Sequence, residues 1–170
     1  IFLIGESRKE QGLVLGRPIR DNVTLSNMAQ VAPGGWVRTG DERRASRGLL
    51  ERVTVAGDDR RAVSALSGGN QQKVLFGRAL QKARRLLIAD EPTRGVDVGS
   101  RRAIYELIAQ QAEQGIGVLV ISSDVEEVLG LAHRVLVVRA GRVIAELTGD
   151  EMTEENIITA AFADPTPVGS

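Results

Sequence analysis

Two short runs of the sequence hold residues whose types and order could do phosphate chemistry. LSGGNQQK, Leu66–Lys73, sets Ser67, Gly68 and Gly69 directly before a helical pattern. Small residues there let backbone N–H groups approach an anion, and the helix N-terminus adds positive potential. A side chain at Gly68 or Gly69 would fill the space through which the backbone reaches a phosphate. The second run, RRLLIADEPTRGVD, is an apolar strand that ends in adjacent carboxylates, Asp90 and Glu91. At the carboxyl edge of a sheet, where ligands bind, Asp90 would hold Mg²⁺ directly or through water. Glu91 would orient and polarise a water that attacks a γ-phosphate. A plain acidic turn at a strand end reads the same way, so the pair alone leaves both open. The phosphate-cradling loop GxxxxGK[ST] occurs nowhere between Ile1 and Ser170.

These residues need a scaffold, and the composition allows one. The 170 residues are 42% hydrophobic, enough for about one globular domain. Lys+Arg 22 balances Asp+Glu 22, and no basic stripe with interleaved aromatics appears, which disfavours a nucleic-acid partner. The lack of cysteine removes disulfide, zinc-finger and cysteine-nucleophile chemistry. No apolar run approaches the roughly 20 residues that span a bilayer. The chain opens inside a strand pattern with no leader before it, so we expect a segment of a longer protein.

Apolar runs of strand length fall at Ile1–Ile4, Leu86–Ala89, Val118–Ile121, Val135–Val138 and Val143–Leu147. Helical patterns fall at Ile19–Gln30, Asp41–Ala56, Gly69–Lys82, Val98–Gln114, Asp124–Leu131 and Thr153–Phe162. Strands alternating with helices predict an α/β fold with a mostly parallel sheet, and Arg139–Gly141 reads as a tight hairpin turn. Arg17–Ala65 is arginine-rich, helix-patterned and broken at Pro33-Gly34-Gly35, as an inserted helical subdomain would be. The expected organisation is 1–16, core; 17–82, helical subdomain; 83–163, remaining core; 164–170, frayed tail.

LSGGNQQK, then LLIADEP, then Arg94-Gly95-Val96-Asp97 together resemble the ATP-binding-cassette family in content and order. IGESRKEQGLVL at the start and ISSDVEEVLGLAHRVLVVRAGRV near the end are similar to the C-terminal cassettes of duplicated ATPases that drive bacterial carbohydrate importers. The resemblance covers Ile1 to about Phe162 and is weakest over Pro33–Val63. It implies a partial RecA-like P-loop NTPase core whose P-loop and early strands lie upstream of Ile1, leaving apolar edges exposed here. It implies ATP and Mg²⁺ as cofactors, with Glu91 catalytic, Asp90 on the metal and Glu6, at the Q-loop position, as a further metal candidate. Ser67, Gly68, Gly69, Asn70 and Gln71 would face a nucleotide held mainly by a second, head-to-tail cassette, and Gly95 and Asp97 would form the D-loop. The implied partners are that cassette, membrane permease subunits and, indirectly, a sugar-binding protein. The implied location is the cytoplasmic face of the membrane.

The pattern departs from the family's where a histidine usually follows the strand Val118–Ser122. Here the position is Ser123, which donates one hydrogen bond and carries no charge near neutral pH. Ser123-Asp124-Val125-Glu126 also fits a helix capping box. The single histidine, His133, is distant in sequence from every phosphate motif and is assigned to a helix end or to solvent. Trp36 is assigned to packing or to a partner surface. Two other classes stay open: a non-transport ATPase of the same superfamily and a non-enzymatic interaction module. The short insert between Glu6 and Ser67, which lacks heptads, argues against the coiled-coil chromosome-type members.

Overall fold

The computed structural model describes residues 1–6, 12–25, 28–32, 35–82 and 85–162. The expected breaker at Pro33-Gly34 and the tail 164–170 lie outside the described residues. The chain forms two compact units, Ile1–Ile121 and Ser122–Ser170.

The first unit is built on β1 (Phe2–Ile4), β2 (Leu86–Asp90) and β3 (Gly117–Ile121), a parallel sheet in the order β1-β2-β3. Its register pairs Ile4 with Ala89 and Asp90 with Ile121. Parallel neighbours require crossovers, and these are helical. The β1–β2 crossover carries α1 (Ile19–Thr24), α2 (Met28–Val31), α3 (Thr39–Arg52) and α4 (Gly68–Lys82), and the β2–β3 crossover carries α5 (Val98–Glu113). The period-2 alternation of strands sorts the sheet's side chains. Ile4, Leu87 and Ala89 are buried, with α4 packed on β1 and α5 on β3. Leu3, Leu119 and Ile121 point to the other face and are exposed.

The helix expected over Ile19–Gln30 is instead two short ones. Thr24 turns its hydroxyl back to donate to the Arg20 carbonyl at 2.9 Å, a bond that competes with continuing the helix. The helix expected to run to Ala56 stops at Arg52, because Thr54 takes a positive φ of 53° that no helix accommodates. Polar contact also organises the loops. Buried Asn22 accepts from Val14 N at 2.8 Å and donates to Val14 O at 3.0 Å.

The second unit comprises α6 (Val125–Leu131), the antiparallel pair β4 (Arg134–Arg139) and β5 (Arg142–Thr148), and α7 (Glu154–Phe162). The expected hairpin turn is present, with Ala140 and Gly141 both at positive φ, 48° and 76°, as the primed turns of tight hairpins require. Val135, Val137 and Ile157 form its core. No helix among the described residues is long and apolar enough to cross a membrane.

Two helical glycines make opposite predictions. Nothing lies within 4 Å of a Cβ built at Gly48 on α3, whereas one at Gly77 on α4 would meet buried Leu49 at 2.7 Å. Gly48→Ala should stabilise the chain by about 0.5–1 kcal/mol. Gly77→Ala should forfeit that gain and destabilise by about 1 kcal/mol through overpacking. Thermal unfolding of the two variants checks both signs.

Candidate functional site

Two loops pair edge to edge to deliver the chain to the start of α4. Pro18 bridges Ala62, Ile19 N donates to Arg61 O at 2.9 Å, and Val63 N donates to Arg17 O at 3.0 Å. A 3₁₀ turn, Val63–Ala65, follows; then the backbone extends at Leu66 and α4 begins at Gly68. Exposed Ser67 stands at the cap position, its Oγ accepting from Asn70 N at 3.4 Å. A hydroxyl that accepts in this way keeps its own O–H to donate. The first-turn N–H groups of a helix have no partner in its own ladder, and here Ser67 satisfies the one of Asn70.

Gln71 does not join that turn. Its amide donates to Leu66 O at 3.1 Å and to Val63 O at 3.3 Å, and the residue is only 8% exposed. The side-chain amide of Gln71 is thus engaged with the 3₁₀ turn and the extended residue after it. Gly69 also has a reason within the chain. A Cβ there would lie 2.2 Å from Ser100 Oγ, 2.5 Å from Ser100 Cβ and 3.0 Å from Asp97 Oδ2. The space a side chain would take is filled from within the chain, by the start of α5.

The carboxylates stand where the sequence places them. Asp90 ends the central strand β2, opposite Ile121 of β3, and Glu91 follows it with its N–H donating to Ile121 O at 2.8 Å. Glu91 has a φ of 46°, in the left-handed region, a conformation that costs an L-residue about 1–2 kcal/mol. The chain then turns, Arg94 N donating to Glu91 O at 3.1 Å and Val96 N to Thr93 O at 3.1 Å, with Gly95 at φ 65°. Asp97 caps α5, its Oδ1 accepting from Ser100 N at 3.0 Å. Hydrogen bonds from the Ser100 side chain and then its backbone hold the Asp97 carboxyl below its ordinary range; Lys73 adds a smaller pull in the same direction.

Magnesium commonly takes one or two carboxylates and completes its shell with water and phosphate oxygens. Asp90 fits that demand, and among the described residues no cluster of three or more His, Cys, Asp or Glu forms a closed metal cage. Glu6 is ion-paired with Arg94, so as a ligand it would first have to leave that arginine.

Ser123 belongs to the second unit. The cap of α6 is its neighbour Asp124, which accepts from Glu127 N at 3.2 Å while its own N–H donates to Ser122 Oγ at 3.0 Å, so the cap falls one residue after the expected Ser123. His133 is exposed between α6 and β4. Trp36 is 84% exposed, so little of it packs against the described residues.

The sequence reading missed Gln72, Lys73, Arg94 and Ser100. For the first two a signal existed, since residues three and four after Gly69 share its face of a helix.

Gly69→Ala should destabilise the chain by about 1–3 kcal/mol by overpacking. Adding Ser100→Gly, which keeps the backbone N–H that Asp97 uses, should recover most of the loss in thermal unfolding. A carboxyl lowered by folding contributes stability above its unfolded value, near 4, and loses it as pH falls through the lowered folded value. Asp97→Asn should therefore flatten the fall of the melting temperature on acidification below about pH 4, measured as melting temperature against pH.

The family model for ABC transporters matches residues 6–94, just over half of the chain. The ribose import ATP-binding protein RbsA of Geobacillus kaustophilus (strain HTA426) is 44% identical over 162 residues, a match covering 95% of this chain and 33% of that protein. The protein of the same name from Roseobacter denitrificans (strain ATCC 33942 / OCh 114) is 39% identical over 169 residues, covering 98% and 33%. The chain thus spans about a third of the length of these curated relatives. A solved dimeric ATP-binding cassette, in a post-hydrolysis state bound to ADP and Pi, matches with a TM-score of 0.70 at 22% identity, over 86% of this chain and 61% of that one. At that identity the likeness is one of fold, and it agrees with the partial α/β core expected from the sequence. The glycine turn at the head of α4, the carboxylate pair ending β2 and the family match converge: this chain belongs to the ABC transporter family.

Proposed function

We propose that this chain is the signature and Walker B part of the ATP-hydrolysing subunit of a carbohydrate importer, within a protein longer than these 170 residues. The observation that carries the reading is the carboxylate pair at the end of the central strand β2, in the same compact unit as the Ser67–Gly69 turn. Transport of sugar, rather than a non-transport role, is supported by relatives named for ribose import.

In this reading Glu91 accepts a hydrogen bond from the attacking water and draws off its proton, and Asp90 supplies the carboxylate for Mg²⁺. The metal, when bound, would neutralise charge building up on the phosphate oxygens. Ser67 and the N–H groups of Gly68, Gly69 and Asn70 face outward to a nucleotide held mainly by a second cassette. Gly95 and Asp97 shape the D-loop between the two sites. Ser123 takes the switch position, where it can donate a hydrogen bond to phosphate but no positive charge. The remaining partners are permease subunits in the membrane, with the ATPase on the cytoplasmic side and a sugar-binding protein reached only through them. Exposed Trp36 suits a partner surface on the helical part.

In the full-length protein, Glu91→Gln should leave ATP binding intact and slow hydrolysis by about 10²–10⁴, read by phosphate release and labelled-ATP binding. Unchanged turnover would show that Glu91 is not the residue that activates water.

A further inference from the structure

Glu91 is held in a conformation that its sequence context opposes. It is an L-residue with φ 46°, and the ring of the following Pro92 favours extended backbone in the residue before it. The other described non-glycine residues with positive φ, Thr54 and Ala140, sit in turns between elements. Glu91 instead ends the central strand of the sheet, where a shift of its backbone re-aims the carboxylate.

The peptide is gripped on both sides. On one, Glu91 N donates to Ile121 O at 2.8 Å. On the other, the Pro92 carbonyl accepts from Gln72 Nε2 at 2.9 Å, a bond between groups twenty residues apart in sequence. Gln72 is 3% exposed and Pro92 is buried, so the bond is shielded from water and its loss would strand a buried carbonyl. Gln72 cannot drift, because α4 is fixed one turn earlier by the contact of Gly69 with Ser100 and one turn later by buried Phe76.

We infer that Gln72 is a positioning residue for Glu91: its buried amide, by holding the Pro92 carbonyl, keeps the Glu91 backbone left-handed and so sets where the carboxylate points. The inference rests on the reading of Glu91 as the residue that activates water. It adds that the signature helix sets the aim of the carboxylate in its own chain, besides presenting donors to a partner's nucleotide.

The test uses the full-length protein. Gln72→Leu keeps the bulk and deletes the amide; it should lower kcat by about ten- to a hundredfold, the cost of a misplaced group, and leave KM for ATP within about twofold of wild type. Gln72→Glu can donate to Pro92 O only while its buried carboxyl is protonated. Its turnover relative to wild type should therefore fall as pH rises from about 5.5 to 8.5, through the raised titration of a buried carboxyl, and this serves even if Gln72→Leu does not fold. A stability cycle is independent of catalysis. Glu91→Gly, which relieves the left-handed strain, should raise Tm in the Gln72 protein and not in either Gln72 variant, where the loop is free to relax. A Gln72→Leu enzyme with wild-type kcat, a pH-independent ratio for Gln72→Glu, or a fully additive Tm cycle would each overturn the inference. If Glu91→Gln alone leaves turnover unchanged, the catalytic reading fails, and the Tm cycle still decides whether Gln72 holds the loop.

Discussion

Everything that gives this chain its chemistry depends on how one face of α4 lies against the loop that leaves β2. Gly69, Gln72 and Phe76 follow one another at helical spacing, and each is buried. Gly69 lets the start of α5 come within the space of a side chain, Gln72 bonds the Pro92 carbonyl, and Lys73 lies close enough to Asp97 to bias its titration. Protein interiors are close-packed and do not deform continuously. A helix seated by a 2.2 Å exclusion and a buried 2.9 Å hydrogen bond has little freedom to slide. The turn at the head of α4, the Asp90-Glu91 pair and the turn that leads into α5 are therefore parts of one packed body.

This constraint changes what the signature motif means. Its first half, Ser67 and the glycines, lies at the end of the helix where a phosphate could approach. Its second half is turned inward: Gln71 closes the 3₁₀ turn below it and Gln72 closes the loop beside it. Further along the helix, Arg78 donates to Gly12 O, tying α4 to the chain that follows Glu6. A residue run that reads as a binding motif is, for half its length, a set of intramolecular fasteners. Glu6 in turn is ion-paired with Arg94, in the turn that leads into α5.

The legible parts of the fold were those written in local pattern. The five strands, the helices α4 to α7, the Ala140-Gly141 turn and the ending of β2 in Asp90-Glu91 all follow from periodicity and turn chemistry. What the sequence hid depends on partners far along the chain. The bond from Gln72 to Pro92 and the clash that excludes a side chain at Gly69 exist only once β2 and α5 stand beside α4. The split between α1 and α2 and the early end of α3 at Thr54 turn on single backbone angles and a side-chain bond, which hydrophobic spacing does not register. The helix cap falls at Asp124 and not at Ser123; both are good caps, and local chemistry does not choose between them.

Native-state amide hydrogen exchange against denaturant tests the single-body account most directly, because it reports which amides open together. The amide of Glu91, bonded to Ile121 O, and the amides of Val74, Leu75 and Phe76 in α4 should open in one cooperative unit, with the same free energy and the same denaturant slope. Exchange of the Glu91 amide through a separate, denaturant-insensitive opening while α4 stays protected would contradict it, since the loop carrying the carboxylate would then move without the helix.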